Sequence, residues 1–316
     1  MSDFKDVQNA IESAKNVLVA AHRDPDGDAI GSLLAASFYL GKINKPFYAF
    51  SVSGVPEMFK LLPGIELIKD NVPSERYDLV LGLDYGVRDR LGLEEYFAQH
   101  GPSLLALDHH PKNGQLENFG VIDTSYPSTC ELMFDYFKAA GFALNQDIAK
   151  ALMTGLLTDT GFFKYTAKPE SLERALSLMK DFGVGIAEIE HLLYGHQKLD
   201  AVKLGGRILA RTAYHEAGFN YSYILLDDLV GGLKVDDVAG VAERIRNIDK
   251  GRFALLLIEE PGGVWRGRLR SGQDKSLDLS ELAKKLGGGG HAQASGFRTE
   301  GQIDDILETV AKYSRQ

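Results

Sequence analysis

The stretch VLVAAHRDPDGDAIGSLL, residues 17–34, decides the fold that we expect for the first half of the chain. It begins with Val17–Ala21, an uninterrupted apolar run that is typical of a strand buried in a parallel sheet. Apolar residues then recur at helical spacing across Asp28–Leu40, which predicts a helix. The polar segment His22–Asp28 separates the two. A strand, a polar turn and a helix in this order predict the first half of a βαβ unit.

The same alternation continues downstream. Further strands are predicted at Pro46–Phe50, Leu79–Leu83, Leu104–Leu107 and Phe119–Ile122. Further helices are predicted at Leu91–Gln99, Ser128–Ala140, Gln146–Leu157 and Glu170–Lys180. Because strands alternate with helices, the fold class that we expect for this half is α/β, with a doubly wound, mostly parallel sheet.

The pattern changes near Arg207. Strands are predicted at Ile208–His215 and Asn220–Leu226, and a hairpin is predicted from Phe253–Glu259 and Val264–Ser271. Helices are predicted at Val235–Asn247, Leu279–Leu286 and Ile303–Tyr313. These segments indicate a smaller α+β domain. We therefore expect a first domain at residues 1–185, a helical linker at 186–205 and a second domain at 206–316.

Composition places the chain among ordinary globular proteins. Its 316 residues are 44% hydrophobic and 25% charged, which excludes disordered, collagen-like and coiled-coil proteins. The single cysteine, Cys130, excludes a disulfide framework and a thiolate-cluster metal site, and it fits a reducing compartment. Residues 1–7 lack the features of a signal peptide, and no apolar run approaches the ~18 residues of a membrane span. We therefore expect a cytoplasmic location.

The charge is unevenly distributed. Residues 1–205 carry the whole net charge of −9, whereas residues 206–316 are balanced. The negative net charge argues against a protein that coats polyanions. An acidic site that meets an anionic substrate needs metal ions to invert its local charge.

Carboxylates and imidazoles follow three of the predicted strands. His22–Asp28 comes after the first strand, Asp84 after another and Asp108–His110 after a third. A further carboxylate, Asp159, lies just past a helix. Because ligands of open α/β sheets bind at the carboxyl ends of the strands, we expect these side chains at one edge of the sheet. So many carboxylates repel one another unless cations neutralise them.

The chemistry of these side chains indicates the kind of cation. Carboxylate and imidazole ligands without thiolate favour Mn²⁺, Mg²⁺ or Fe²⁺. The number of ligands is too large for one ion and suits two ions that share a carboxylate. Two ions ~3.5–4 Å apart can clamp a phosphoryl group and turn a bridging water into a nucleophile near neutral pH.

Each of these groups of candidate ligands, taken alone, has a simpler structural interpretation. The acidic turn could be only a polar turn in which Asp28 is the helix N-cap. One of His109 and His110 could lie in the core and the other on the surface. Asp84 or Asp159 alone could be a turn or cap residue. The joint arrangement, in order and at the same end of one predicted sheet, favours a site.

Five motifs in this order resemble those of the DHH phosphoesterases, the family that includes the RecJ-like nucleases. They are Ala21–Ser32, Leu83-Asp84, Asp108–Asn113, Gly155–Gly161 and Leu286–His291. The last resembles the glycine-rich motif of the DHH-associated C-terminal domain. The resemblance covers nearly the whole chain. It implies a phosphoesterase whose active site lies in the cleft between two domains.

The resemblance also implies two divalent metal ions, with Mn²⁺ preferred over Mg²⁺ or Fe²⁺. The first ion would be held by His22, Asp26 and Asp84, and the second by Asp28, Asp84, His109 and Asp159. Asp84 would therefore bridge the ions and belong to the catalytic residues.

The remaining residues of the motifs take supporting roles by the same resemblance. His110 would be catalytic, facing the phosphate and acting in protonation or transition-state stabilisation. Asn113 would help to orient that site. Asp108 would support His109, because a metal-bound imidazole commonly has such a partner. Asp24 is expected to be a bystander.

The second domain is expected to bind the substrate. Gly287–Gly290 could expose backbone N–H groups as an anion-binding nest. Strand alternation places Arg266, Arg268 and Arg270 on one face. Arg266 and Arg268 are as well explained by the solvent-exposed face of an edge strand. Arg270 and the serine after it resemble the family's Arg-Ser near the substrate. The substrate-binding residues are therefore expected to be Asn113, Arg270, Ser271, Gly288, Gly289, Gly290 and His291.

Length and layout are most similar to the nanoRNase/pAp phosphatases of this family. This implies hydrolysis of short oligonucleotides, linear dinucleotides or 3′-phosphoadenosine 5′-phosphate (pAp) through a metal-bridging water. The alternatives are a soluble cyclic-dinucleotide phosphodiesterase, an exopolyphosphatase or pyrophosphatase, and a non-catalytic nucleotide sensor, which the complete ligand set disfavours. A long strand would call for an extended basic groove, so long or double-stranded nucleic acid is not expected. No membrane partner is expected, and the oligomeric state stays open, a homodimer included.

Overall fold

The computed structural model describes residues 3–111, 119–164, 168–195, 198–238, 240–272 and 277–314. The chain forms two compact units, Met1–His196 and Gln197–Gln316. Among the helices of the described ranges, none combines the length and the apolar character that crossing a bilayer requires.

The first unit is built on a parallel sheet, as the alternating pattern predicts. In spatial order, the strands of the described residues are β3 (Ile68–Lys69), β2 (Phe47–Phe50), β1 (Val17–Ala21), β4 (Leu79–Leu83), β5 (Ser103–Asp108) and β6 (Gly120–Ile122). Every neighbouring pair is parallel. The direction of winding reverses between β1 and β4. At such a point a crevice opens beyond the carboxyl ends of the strands, and ligands bind there.

Helices cover both faces of this sheet. They are α1 (Phe4–Ser13), α2 (Gly27–Lys42), α3 (Glu94–His100), α4 (Thr129–Ala139), α5 (Gln146–Asp159), α6 (Pro169–Phe182) and α7 (Ile186–Tyr194). Helix α1 was not predicted. It begins at a capping box of Asp3 and Asp6, and it buries Val7 and Ile11, four residues apart on one face.

The helices α2 and α5 approach each other closely, and two glycines allow this. At Gly27 a Cβ atom would lie 2.3 Å from Oγ1 of Thr158, so the start of α2 meets the end of α5. At Gly155 a Cβ atom would lie 2.4 Å from Oδ1 of Asp28. A Cβ atom at either position would require these neighbouring side chains to shift. The contact brings Asp28, in the first turn of α2, next to Asp159, the last residue of α5.

The second unit contains a mixed sheet, which agrees with the predicted α+β domain. In spatial order, its described strands are β11 (Gly289–His291), β12 (Ala294–Glu300), β10 (Val264–Ser271), β9 (Phe253–Glu260), β8 (Phe219–Ile224) and β7 (Ala213–His215). Strands β8 and β9 are parallel, and the other pairs are antiparallel. The predicted hairpin is formed by β9 and β10.

Helices pack on this second sheet. They are α8 (Leu199–Ala210), α9 (Val241–Arg246), α10 (Leu279–Lys285) and α11 (Ile303–Ser314). The strand predicted to begin at Ile208 is wrong at its start, because Leu204 and Ile208 are buried one turn apart on α8. The helix predicted at Val235–Asn247 is a 3₁₀ turn, Val235–Val238, followed by α9. Strands β11 and β12 were not predicted.

Short 3₁₀ helices complete the described elements. They are Glu57–Phe59, Ile65–Leu67, Arg88–Leu91, Leu226–Asp228 and the turn before α9.

Candidate metal centre and active site

The turn after β1 places three side chains at the crevice. His22 directs Nδ1 at the carbonyl oxygen of Arg23, 2.8 Å away, so Nε2 faces the acidic side chains. Asp26 is the N-cap of α2, since its Oδ1 accepts from the N–H groups of Asp28 and Ala29, each at 3.1 Å. The plainer interpretation of this turn, with Asp28 as the N-cap, is therefore wrong. Asp28 instead lies in the first turn with its carboxylate fully buried.

Asp84 lies at the centre of the candidate site. It follows β4 with a φ of 52°, a left-handed conformation that costs a non-glycine residue on the order of 1–3 kcal/mol. Its Oδ2 is 3.6 Å from Nε2 of His22. Its Oδ1 is 3.4 Å from Nε2 of His109 and 3.3 Å from Nδ1 of His110. The two oxygens therefore face different groups of side chains.

Those groups have the composition of metal sites. What we call the first cluster consists of His22, Asp26 and Asp84, and the second cluster consists of Asp28, His109 and Asp159. Within each cluster the donor atoms lie within 4.8 Å of one another. In the second cluster, Nε2 of His109 is 3.4 Å from Asp159 and 3.9 Å from Asp28. All six side chains that the resemblance singled out as ligands thus come together.

The start of α4 holds the buried carboxylate of Asp28. The N–H groups of Thr129 and Cys130 donate to it at 2.5 and 2.9 Å. The hydroxyl of Thr129 also donates to Oδ1 of Asp84 at 3.2 Å. A helix N-terminus favours such an anion. Sequence reasoning missed these contacts, although Ser128 and Thr129 at the start of a predicted helix were an available signal.

The pKa values report crowding of negative charge. Burial and the charge of Asp84 raise the pKa of Asp28 to about 7. Burial, followed by the charge of Asp28, raises the pKa of Asp159 well above its usual value. Burial lowers the pKa of His22, but its hydrogen bonds to Asp26 and Asp84 outweigh this and raise it to about 10. Protons therefore compensate the carboxylates near neutral pH, and a divalent cation can replace such protons.

Asp108 supports His110 rather than His109, so the expected pairing is wrong. Its Oδ1 accepts from the N–H of His110 and lies 2.9 Å from Nδ1 of the same residue. Its Oδ2 accepts from the N–H groups of Tyr85 and Gly86 at 3.0 and 2.7 Å. The planes of the His109 and His110 rings lie at 65° to each other. His109 turns Nδ1 to another partner, described below.

Two further residues near these motifs are Asp24 and Asn113. Asp24 is exposed, has a φ of 53° and donates its backbone N–H to Oγ of Ser53 at 2.9 Å. Asp24 is not a member of either of the two clusters defined above. Asn113 lies outside the described residues.

The candidate substrate residues of the second unit lie on β10, β11 and the turn before β11. Arg270 donates from Nε to Glu243 at 2.8 Å. The backbone N–H of Ser271 donates to the carbonyl of Gln293 at 2.9 Å. As predicted, Arg266, Arg268 and Arg270 alternate with buried residues along β10.

In the glycine run, two of the four backbone N–H groups expected to form the nest have partners within the second unit. The N–H groups of Gly287 and Gly288 donate to carbonyls at the end of α10, at 3.0 and 2.8 Å. Gly289 and Gly290 belong to β11, which pairs with β12. At Gly288 a Cβ atom would lie 2.0 Å from the carbonyl oxygen of Gly296, so close packing explains this glycine. The side chain of His291 lies outside the described part of the chain.

Comparison with known protein families finds a matching domain family for each half of the chain. Residues 16–156 match the DHH family, N-terminal domain, and residues 220–316 match the DHHA1 domain. The bifunctional oligoribonuclease and PAP phosphatase NrnA of Thermus thermophilus is 30% identical over 319 aligned positions, which cover 98% of this chain and 92% of that protein.

Two solved structures share the fold. An exopolyphosphatase-related protein from Bacteroides fragilis superposes with a TM-score of 0.89 at 21% identity, covering 99% of this chain and 95% of that one. RecJ from Thermus thermophilus, solved in complex with Mn²⁺, gives a TM-score of 0.58 at 16% identity, covering 99% of this chain and 54% of that one. The domain matches and the relative at 30% identity show that the chain belongs to the DHH phosphoesterases, as a hydrolase with a DHHA1 domain after its DHH domain.

Proposed function

We propose that this chain is a metal-dependent phosphoesterase that hydrolyses short oligoribonucleotides and pAp. The observation that carries the proposal is the pair of carboxylate and imidazole clusters joined by Asp84, at the carboxyl ends of β1, β4 and β5. The substrate class is supported by the relative of Thermus thermophilus and by a second NrnA, from Bacillus subtilis, at 28% identity.

The donor set fits two divalent cations. In the described residues both clusters contain only carboxylates and imidazoles, the ligands of Mn²⁺, Mg²⁺ and Fe²⁺. The first cluster would hold one cation, and the second cluster together with Asp84 would hold the other. Since each oxygen of Asp84 faces a different cluster, this carboxylate is suited to bridge. When bound, such a pair of cations polarises a phosphoryl group and lowers the pKa of a bound water.

The chain itself supplies orientation and a proton. Burial lowers the pKa of His110, but hydrogen bonds to Asp108 and Asp84 outweigh this and raise it to about 10. A histidine held in this way can keep a proton at neutral pH and donate it to the leaving oxygen. Asp108 fixes the ring through Nδ1, so we assign Nε2 to the substrate. We propose Asn113 as a further group that orients the phosphate.

In the second unit we propose that Arg270 binds a phosphate remote from the bond that breaks. Guanidinium groups suit phosphate oxygens, and remote binding energy positions the reacting phosphate. Around Arg270, the proposed substrate site includes the serine after it and the end of the glycine run: Ser271, Gly288, Gly289, Gly290 and His291.

A short substrate agrees with the charges on the face of β10. Glu260 pairs with Arg266 at 3.3 Å and with Arg298 at 3.0 Å, and Glu243 pairs with Arg270. These pairs neutralise much of the row of arginines. A long single strand would call for a continuous basic groove lined by stacking aromatics.

The test is a substrate panel. The purified chain with Mn²⁺ is incubated with pAp, the dinucleotide pApA, cyclic di-AMP and polyphosphate, and the products are separated by chromatography. We expect mononucleotides from pApA and AMP from pAp. Asp24→Asn is the matched control, since it removes a neighbouring carboxylate outside both clusters. Hydrolysis of polyphosphate or cyclic di-AMP without hydrolysis of pApA would contradict the proposed substrates.

A further inference from the structure

We propose that Arg174, on α6, is a positioning residue that fixes the orientation of His109 through Tyr126. The inference rests on the proposed function, in which His109 binds a cation. The Nδ1 atom of His109 lies 3.3 Å from the carbonyl oxygen of Tyr126. The Nε2 atom of the same ring faces the carboxylates of the second cluster.

The carbonyl of Tyr126 decides which nitrogen of His109 can bind a cation. A carbonyl oxygen only accepts hydrogen bonds, so Nδ1 must carry the hydrogen and Nε2 presents its lone pair. Tyr126 lies between β6 and α4, in a turn where its N–H donates to the carbonyl of Asp123 at 3.3 Å. The position of this turn therefore sets both the tautomer and the direction of the imidazole.

Arg174 fixes the side chain of Tyr126 in two ways. The guanidinium lies 5.1 Å from the centre of the tyrosine ring. It also donates to both oxygens of Asp135, from Nε at 3.2 Å and from Nη2 at 2.5 Å. Oδ2 of Asp135 in turn accepts the Tyr126 hydroxyl at 2.9 Å. Loss of Arg174 would leave the ring and its hydroxyl partner free to move.

Buried side chains hold the Arg174 guanidinium in place. Its Nη1 donates to Oε2 of Glu131 at 3.0 Å, and the same oxygen accepts from the hydroxyl of Ser171 at 2.8 Å. The Glu131 side chain is 0% exposed, and that of Arg174 is 14% exposed. An ion pair this shielded is weakly screened and geometrically fixed. Lys168 also donates to the carbonyl of Ser125, at 2.6 Å, so the turn keeps a second anchor without Arg174.

The second unit contains a matched control for a general loss of stability. Arg211 donates from both terminal nitrogens to Asp228, and its guanidinium lies 5.3 Å from the centre of the Tyr223 ring. These residues form the same kind of arginine, aspartate and tyrosine group as Arg174, Asp135 and Tyr126, but the group belongs to the second unit and His109 to the first. Arg211→Ala should therefore affect the fold without affecting metal binding.

The experiment is calorimetric titration of the metal-free chain with Mn²⁺, alongside circular dichroism. Removal of a group that orients a metal-bound histidine typically costs about 10–100-fold in metal affinity. Because Arg174 acts through Tyr126, we expect Arg174→Ala to weaken one of two Mn²⁺ sites about tenfold. The other site should keep its affinity. Arg174→Lys should restore part of the loss, and Tyr126→Phe, which removes one hydroxyl, should produce a smaller loss at the same site.

Several results would overturn the assignment. Unchanged affinity at both sites in folded Arg174→Ala is the first. Equal weakening of both sites, or an equal effect of Arg211→Ala, would give Arg174 only a structural role. If Arg174→Ala does not fold, unchanged Mn²⁺ affinities at both sites of Tyr126→Phe would contradict the positioning role. A wild-type chain that binds no Mn²⁺ would contradict the proposed function itself, and the positioning role with it.

Discussion

Arg270→Ala should separate substrate binding from chemistry. A hydrogen bond between a guanidinium and a phosphate contributes about 1.5–3 kcal/mol. Substrate must first displace Glu243, which pairs with Arg270 at 2.8 Å and is partly exposed to solvent. Such a pair is worth about 0.2–1 kcal/mol. The net loss is then about 0.5–2.8 kcal/mol, or about 2- to 100-fold in kcat/KM at tenfold per 1.36 kcal/mol.

The assay compares two substrates and a second variant. On pApA, Arg270→Ala should lose the stated factor, whereas bis(p-nitrophenyl) phosphate, with no second phosphate to bind, should be much less affected. Glu243→Gln removes the competing charge and should raise kcat/KM on pApA by up to about fivefold. Equal losses of Arg270→Ala on both substrates, or a loss for Glu243→Gln, would refute the reasoning.

Two further predictions concern stability. Gly155→Ala places a Cβ atom 2.3 Å from Sγ of Cys130, so overpacking should lower the free energy of unfolding of the first unit by about 1–3 kcal/mol. Thermal unfolding followed by far-ultraviolet circular dichroism measures this change. An unchanged stability would contradict the close packing at Gly155. The hydrogen bond to Arg211 lowers the pKa of Asp228. The ion pair should therefore stabilise the second unit above the unfolded pKa of about 3.9 and lose its effect as the pH falls through the lower folded value. The fluorescence of Trp265, the single tryptophan, reports this unit, and a pH-independent difference between wild type and Asp228→Asn would contradict the prediction.

The elements that position the clusters could be predicted because local signals agree with the fold. Val17–Ala21 and Leu79–Leu83 are strands with the predicted bounds. Both are apolar at every position, as burial on two faces requires. Once the sheet is parallel, the residues after these strands must meet at one edge, which is why His22 and Asp84 could be placed together from the sequence.

What could not be predicted depends on side-chain direction and on long-range pairing. Whether Asp108 faces His109 or His110 depends on the rotamers of two adjacent rings, and the sequence carries no signal for these. The glycines of β11 gave no strand signal, since glycine has low β propensity and their pairing partner follows a turn. The role of Arg174 also escaped prediction, because it joins residues 39 to 48 positions apart in the sequence.

The central claim is that Asp84 joins two metal sites, and a Mn²⁺ titration of three proteins tests it most directly. Asp84→Asn is preferable to alanine, because asparagine tolerates the left-handed backbone at this position. The wild-type chain should bind two Mn²⁺ ions. His22→Ala should weaken one site, and Asp84→Asn should weaken both while the circular dichroism spectrum stays unchanged. One ion in the wild type, or Asp84→Asn with both affinities intact, would contradict the account.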